Sequence, residues 1–494
     1  MSQIQISHLT FGYDGSYDTI FDDVSFSIDT DWKLGMIGRN GRGKTTFLRL
    51  LQGKYEYRGT IQASVTFNYF PFMAGSPDDL TIDVIEKAEP DYELWKICRE
   101  LNLLKLDCEI LYRPFSTLSN GEQTKVQLAV LFAKEENFLL IDEPTNHLDQ
   151  DSRKILQEYL GKKKGFLLVS HDRKFLDGCV DHILAVNKEE ITVTRGNFSV
   201  WWENKQNRDE MEENRNEQLK KEISELTLAA RRAKGWSDQV EKSKKGQRVA
   251  GLRPDRGFIG HQAARLMKRS KVIENRALEA AEEKKDLLKN IETAESLKLF
   301  PLTHHKEILV NLEQVKIGYG EKIVLEQVNL KVQNGDRKVL RGPNGCGKSS
   351  ILKLILGELE PMDGLVEVAG GMKISYVPQD TSWMRGSLTE FGRRYGLDDT
   401  LFRALLRKLD FAREQFDKDI SQFSEGQKKK ALIAKSLCEQ AHLYIWDEPL
   451  NYIDIFSRMQ IEELIRRWKP TMLMVEHDEY FVREIGGEEV IVKK

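Results

Sequence analysis

A chain of 494 residues, 40% hydrophobic and 31% charged, has room for two or three domains and the composition of a soluble globular protein. No apolar run approaches the length of a membrane span, and the start, MSQIQISHLTFGYDG, lacks the basic and apolar regions of a signal peptide. Five scattered cysteines without metal-ligand spacing suit the reduced thiols of a cytoplasmic protein.

The first chemical signature in chain order is GRNGRGKT. In a G-x-x-x-x-G-K-[ST] loop, glycines let backbone N–H groups wrap phosphates at a helix N-terminus. Gly38, Asn40, Gly41, Gly43, Lys44, Thr45 and Thr46 are therefore the expected nucleotide-binding residues. Lys44 would reach the β- and γ-phosphates of ATP, and Thr45 would ligate Mg2+. SVTFNY then alternates as a half-buried strand does, whereas FLLI is the continuous apolar run of a buried parallel strand. That second strand delivers Asp142 to the metal side of the site. Glu143 follows it, placed to orient or deprotonate an attacking water. His171, after the apolar run GFLLV, is placed to sense the γ-phosphate.

From about Ser199 to Leu302 the character of the chain changes. Neither Gly nor Pro occurs between Gly196 and Gly235, nor from His261 to Phe300, and both stretches are rich in helix formers. Leu219, Ile223, Leu226 and Ala230 step along one helical face, and Ile273, Ala277, Ala280, Leu287 and Ile291 offer a return stripe. Two antiparallel helices are expected, the second roughly 60 Å long at about 1.5 Å per residue. The bend between them, 242–261, is strongly basic. Residues 231–276 carry 14 Lys or Arg against 4 acids, while the whole chain is −3. Segregation of charge on this scale fits a polyanionic partner better than a solvated face. Lys244, Lys245, Arg248, Arg253, Arg256 and Phe258 are the candidate RNA-contacting residues, with Trp236 either joining them or packing between the helices.

The remainder repeats the beginning. GPNGCGKS repeats the phosphate loop with Gly342, Asn344, Gly345, Gly347, Lys348, Ser349 and Ser350. LYIW delivers Asp447 and Glu448, and TMLMV precedes His477. LSNGEQ (Ser119, Gly121, Glu122) recurs as FSEGQ (Ser424, Gly426, Gln427). Offsets between the copies are 304 for the lysines, 305 for the serines and glutamates and 306 for the histidines, so the domain is duplicated.

Complete duplicate sets of these motifs resemble the ATP-binding-cassette family. The resemblance implies two α/β cassettes facing head to tail. Lys44 would then share one ATP with Ser424 and Gly426, and Lys348 the other with Ser119 and Gly121. Tyr13 and Tyr319 look like the aromatics that stack on adenine, or are ordinary strand-end tyrosines. Gln379 in YVPQD matches the Q-loop, a metal and nucleotide contact. The first copy departs here: YFPF puts Phe72 in that place, which implies unequal sites. Within the family, DEPTNHLD, GNFSVW and the charged linker look like ABC-F proteins. DEPLNYID, the bend GLRPDRGFIGH and MKRSK resemble the antibiotic-resistance branch typified by Lsa- and Vga-type proteins.

That resemblance implies two tandem ABC-type P-loop ATPase domains, 1–198 and 303–494, joined by a helical hairpin, 199–302. It further implies a monomer with intramolecular cassette pairing that binds the ribosomal E site when closed on ATP. Its tip would approach 23S rRNA at the peptidyl-transferase centre and the P-site tRNA. A housekeeping ABC-F translation factor and the tandem ATPase subunit of an importer are the alternatives. A DNA-maintenance ATPase is excluded, because Lys44 to Ser119 and Lys348 to Ser424 span 75 and 76 residues and leave no room for an insert within a cassette.

Overall fold

The computed structural model describes the chain apart from residues 1, 14–18, 73–75, 77, 91, 135–136, 147, 188–190, 244–263, 266–267, 270, 274, 278, 281–296 and 493–494. It divides into two compact units, Met1–Trp201 with Ala294–Lys494, and Trp202–Thr293.

The first unit contains two copies of one α/β architecture. In the first copy an antiparallel sheet has the order Thr19–Asp29, Gln3–Gly12, Arg58–Gln62. A six-stranded sheet has the order Thr66–Phe70, Asn137–Asp142, Phe166–Val169, Lys33–Gly38, His182–Val186, Ile191–Arg195, antiparallel only at its last pair. The second copy repeats the antiparallel sheet as Lys322–Gln333, Ile308–Tyr319, Asp363–Val368. Its five-stranded sheet, Ile374–Val377, Leu443–Asp447, Met472–Val475, Arg337–Arg341, Glu488–Ile491, is parallel throughout.

The apolar runs explain the layering. Phe138 to Ile141 and Leu443 to Trp446 are fully buried because helices cover both faces of a parallel sheet. On one face Phe47, Leu48 and Leu51 of helix Lys44–Leu51 pack with Ile4, Ile6, Phe138 and Leu140. Ile351, Leu352 and Ile355 repeat that contact with Leu443 and Ile445. Each such side chain contributes about 1.5–3 kcal/mol on burial. The phosphate loops, Asp142, Asp447 and the two histidines all follow the carboxyl ends of these parallel strands, where open α/β sheets bind ligands.

The second unit is entered by the helix Phe198–Ser243, 46 residues long. It runs straight through Gly235, since one glycine costs about 1 kcal/mol against a long run of strong helix formers. Lys205 and Asp209 add an (i, i+4) ion pair at 2.6 Å. The described positions between 264 and 280 are also helical. Leu219 and Ala277 are buried, as the expected stripes require, but Ile273 is 53% exposed. The candidate RNA-contacting residues Lys244, Lys245, Arg248, Arg253, Arg256 and Phe258 lie outside the described residues, as do Leu287 and Ile291.

Among the described residues no helix is long and apolar enough to cross a membrane.

Candidate functional site

Each phosphate loop joins a buried strand to a helix. Gly43 (φ 85°) and Gly347 (φ 102°) cap the helices in the left-handed region, where a side chain would be strained. A Cβ at Gly347 would also lie 2.8 Å from Val324. Lys44 Nζ donates to the carbonyls of Gly38 (2.7 Å) and Arg39 (3.1 Å). Lys348 Nζ repeats this with Gly342 (2.8 Å) and Pro343 (3.0 Å). Burial lowers the pKa of Lys44, opposed chiefly by the charge of Asp454.

Tyr13 pairs its hydroxyl with Thr46 Oγ1 at 2.8 Å, and Tyr319 pairs with Ser350 Oγ at 3.1 Å. Both rings are nearly half exposed beside the phosphate loops, an arrangement able to offer a face to a purine.

On the metal side, Thr45 Oγ1 donates to Asp142 Oδ2 at 3.1 Å, and the Tyr69 hydroxyl donates to the same oxygen at 2.9 Å. In the second copy Ser349 bonds Asp447, whose Oδ1 is buried without a hydrogen-bond partner. Burial raises the pKa of both carboxyls. One hydroxyl and one carboxylate are hard oxygen donors of the number that Mg2+ takes from protein when phosphates supply further ligands. The residues fit the ion.

Glu143 and Glu448 adopt positive φ, 50° and 46°, which non-glycine residues hold only when the surroundings impose it. Their backbone N–H groups donate to Val169 (2.9 Å) and Val475 (3.0 Å), which pins both turns. The side chains differ. Glu448 Oε2 accepts from Gln379 Nε2 at 2.8 Å and Asn451 Nδ2 at 2.7 Å. Glu143 has Phe72 in place of that glutamine, and Nε2 of His171 lies 3.4 Å from its Oε1. Burial, then the charge of Asp142, pushes its carboxyl up to about 8. Burial also holds His477 down at about 3 and His171 well below the ordinary range, so both imidazoles are neutral near pH 7.

The two copies meet across these sites. Asn40 Nδ2 donates to the carbonyl of Tyr452 at 2.9 Å. A Cβ on Gly426 would lie 2.5 Å from that carbonyl and 3.1 Å from Asn40 Nδ2, so only glycine fits. Lys44 and His171 feel the charge of Asp454. Burial opposes ionisation of Asp454, but the ammonium of Lys430, bonded at 2.7 Å, holds its carboxyl below the ordinary value. In the reverse direction His477 feels Arg153 and Asp149, and Arg341 Nη1 donates to Gln150 Oε1 at 2.9 Å. Buried Arg173–Glu462 and exposed Lys174–Glu479 ion pairs join the halves further.

Gly426 is thus brought to the first phosphate loop. A Cβ on Gly121 would meet Ser152 and Leu148, and the counterpart of Tyr452 in the first copy, His147, lies outside the described residues. Ser119 with Glu122, and Ser424 with Gln427, form capping boxes that start their helices, which assigns Glu122 and Gln427 a local structural task. Sequence reasoning missed Tyr69, Asn451, Asp149 and Asp454. The last three stand in the repeated segments NHLD and NYID, and comparing those copies would have drawn attention to them.

Known proteins bear on these features. The family described as ABC transporter matches residues 21–146 and 325–451. The ribosome protection protein VmlR of Bacillus subtilis is 26% identical over 490 residues, covering 97% of this chain and 85% of its own length. ABC transporter F family member 2 of Arabidopsis thaliana is 25% identical, covering 100% of this chain and 76% of its own. The fold is similar to that of the archaeal ribosome recycling factor aABCE1, solved in complex with the ribosomal stalk protein aP1. That comparison has a TM-score of 0.61 at 19% identity, covering 98% of this chain and 87% of that one.

Proposed function

The chain belongs to the ABC transporter family, in its ABC-F group, and is an ATPase; from this premise we propose that it is a cytoplasmic ribosome-protection factor. Closed on ATP, it binds the ribosomal E site. The stretch between the cassettes (199–302) approaches 23S rRNA and the P-site tRNA and frees the peptidyl-transferase centre of a bound drug. Lincosamides, pleuromutilins and streptogramin A compounds are the classes expected. The observation that carries this reading is the similarity to a ribosome protection protein across 97% of the chain, linker included. The net +10 of residues 231–276 supports it, since such a segment binds phosphate backbones.

Closure is a population shift: ATP favours the state in which both cassettes contribute to its site. Glu448 takes the proton of the attacking water, and Gln379 and Asn451 orient its carboxylate. His477, neutral, accepts or donates a hydrogen bond at the γ-phosphate without adding charge. Thr45 with Asp142 and Ser349 with Asp447 would hold Mg2+, which when bound neutralises charge on the phosphates. The first site, with Phe72 in the glutamine's place and an acid held protonated near neutral pH, turns over more slowly and retains ATP longer.

Ribosome co-sedimentation of the Glu143→Gln, Glu448→Gln double variant tests this function. Co-migration with ribosomes in ATP and not in ADP is expected; free protein in both would overturn it. Growth with and without drug separates protection from a general role in translation, because only protection depends on the drug.

A further inference from the structure

We propose that Lys429 is a positioning residue of the second ATP site, holding the two chain segments that carry Gln379 and Glu448 at the separation where those side chains meet. The proposal rests on the reading of Glu448 as the base in hydrolysis.

Lys429 lies on the helix Glu425–Cys438 and is 2% exposed. Its ammonium donates to the carbonyl of Pro378 at 2.8 Å and lies 3.4 Å from that of Asp447. Pro378 immediately precedes Gln379, and Asp447 immediately precedes Glu448. One buried cation therefore ties the two backbones whose next side chains form the 2.8 Å Gln379–Glu448 bond. A buried ammonium is costly unless opposite charge and acceptors surround it. Here Asp447, Glu448, Glu476 and Glu425 all face it.

The first cassette lacks the whole device. Thr124 stands where Lys429 does, Ser170 where Glu476 does and Phe72 where Gln379 does. In the second cassette Glu476 Oε1 accepts from the backbone N–H groups of His477 (2.7 Å) and Asp478 (3.2 Å). In the first, the Ser170 hydroxyl accepts from Asp172 at 3.2 Å and meets Thr145 at 3.3 Å, and Leu450 replaces that threonine in the second copy. A charged brace of Lys429 and Glu476 thus occurs only in the cassette that has a glutamine to position. Threonine is too short to span both carbonyls.

The test uses the full chain carrying Glu143→Gln, so that turnover reports the second site. Lys429→Thr should lower kcat about tenfold or more, the scale of a misplaced catalytic group, while KM for ATP stays within about twofold. Lys429→Arg, which keeps a long cationic donor, should restore kcat to within about threefold. Because Thr124 occupies the same place in the first cassette, the fold tolerates threonine there, and binding of a fluorescent ATP analogue checks this. An unchanged kcat in Lys429→Thr, or a loss that arginine does not restore, would overturn the proposal. Glu448→Gln in the same background separates the two claims: if it leaves turnover intact, the assignment of the base is what fails.

Discussion

The two cassettes share strand order, phosphate-loop geometry and the strained glutamate turn, yet their glutamates live in different surroundings. Glu448 is gripped by two amides, whereas Glu143 lies beside a neutral histidine in the copy that has Phe72 in the glutamine's place. What duplication preserved is the backbone that grips phosphate. What diverged is the set of side chains that position water. Binding and hydrolysis are thus separable within one architecture, and the difference predicts a chain that closes on two nucleotides but turns them over unequally.

The largest expected effect breaks this comparison at its base. Glu448→Gln should lower steady-state phosphate release by about 10²-fold or more, the usual contribution of a general base, and Glu143→Gln by less than about threefold. Equal losses would contradict the inequality.

A second test compares buried charges. Lys430 and Asp454 form an ion pair at 2.7 Å with side chains 3% and 0% exposed. Their counterparts Lys125 and Asp149 make no such pair among the described residues. Lys430→Met should cost about 3–5 kcal/mol by stranding a buried carboxylate, and Lys125→Met under about 1 kcal/mol. Urea denaturation followed by circular dichroism reads both.

Gly426 provides a third. Gly426→Ala forces a methyl against the Tyr452 carbonyl, at 2.5 Å. Turnover should fall more than about tenfold, since overpacking costs roughly 1–3 kcal/mol where neighbours cannot move. The smallest effect is a gain. Phe72→Gln, in a Glu448→Gln background, should raise first-site turnover by up to about tenfold, the worth of one hydrogen bond to a charged group.

Much of this was legible in the sequence because a phosphate loop is a local object. Its glycines serve backbone angles, and its lysine reaches a neighbouring group, so eight residues carry the information. Apolar runs such as FLLI and LYIW likewise announce strands covered on both faces. Phe72 signalled inequality for the same reason: one side chain standing where another chemistry belongs. The positive φ of Glu143 and Glu448 was not legible, because the turn is imposed by strands that meet only in the fold. Nor was the bridge from Lys429 to Pro378 and Asp447, which joins residues up to 51 positions apart. The crossing of Asn40 to Tyr452, 412 positions away, belongs to the same class. Glu122 and Gln427, expected as nucleotide contacts from their motif, also have a local task that the motif did not announce: each completes a capping box that starts its helix.

The unequal sites can be read from the protein itself. Wild-type chain is given Mg2+ and radiolabelled ATP for several turnovers of the faster site, desalted rapidly, and its bound nucleotide separated by chromatography. One ATP and at most one ADP per chain is the expected content, the ATP disappearing in the variant that carries Phe72→Gln. Two ADP per chain, or equal mixtures that Phe72→Gln leaves unchanged, would contradict the account.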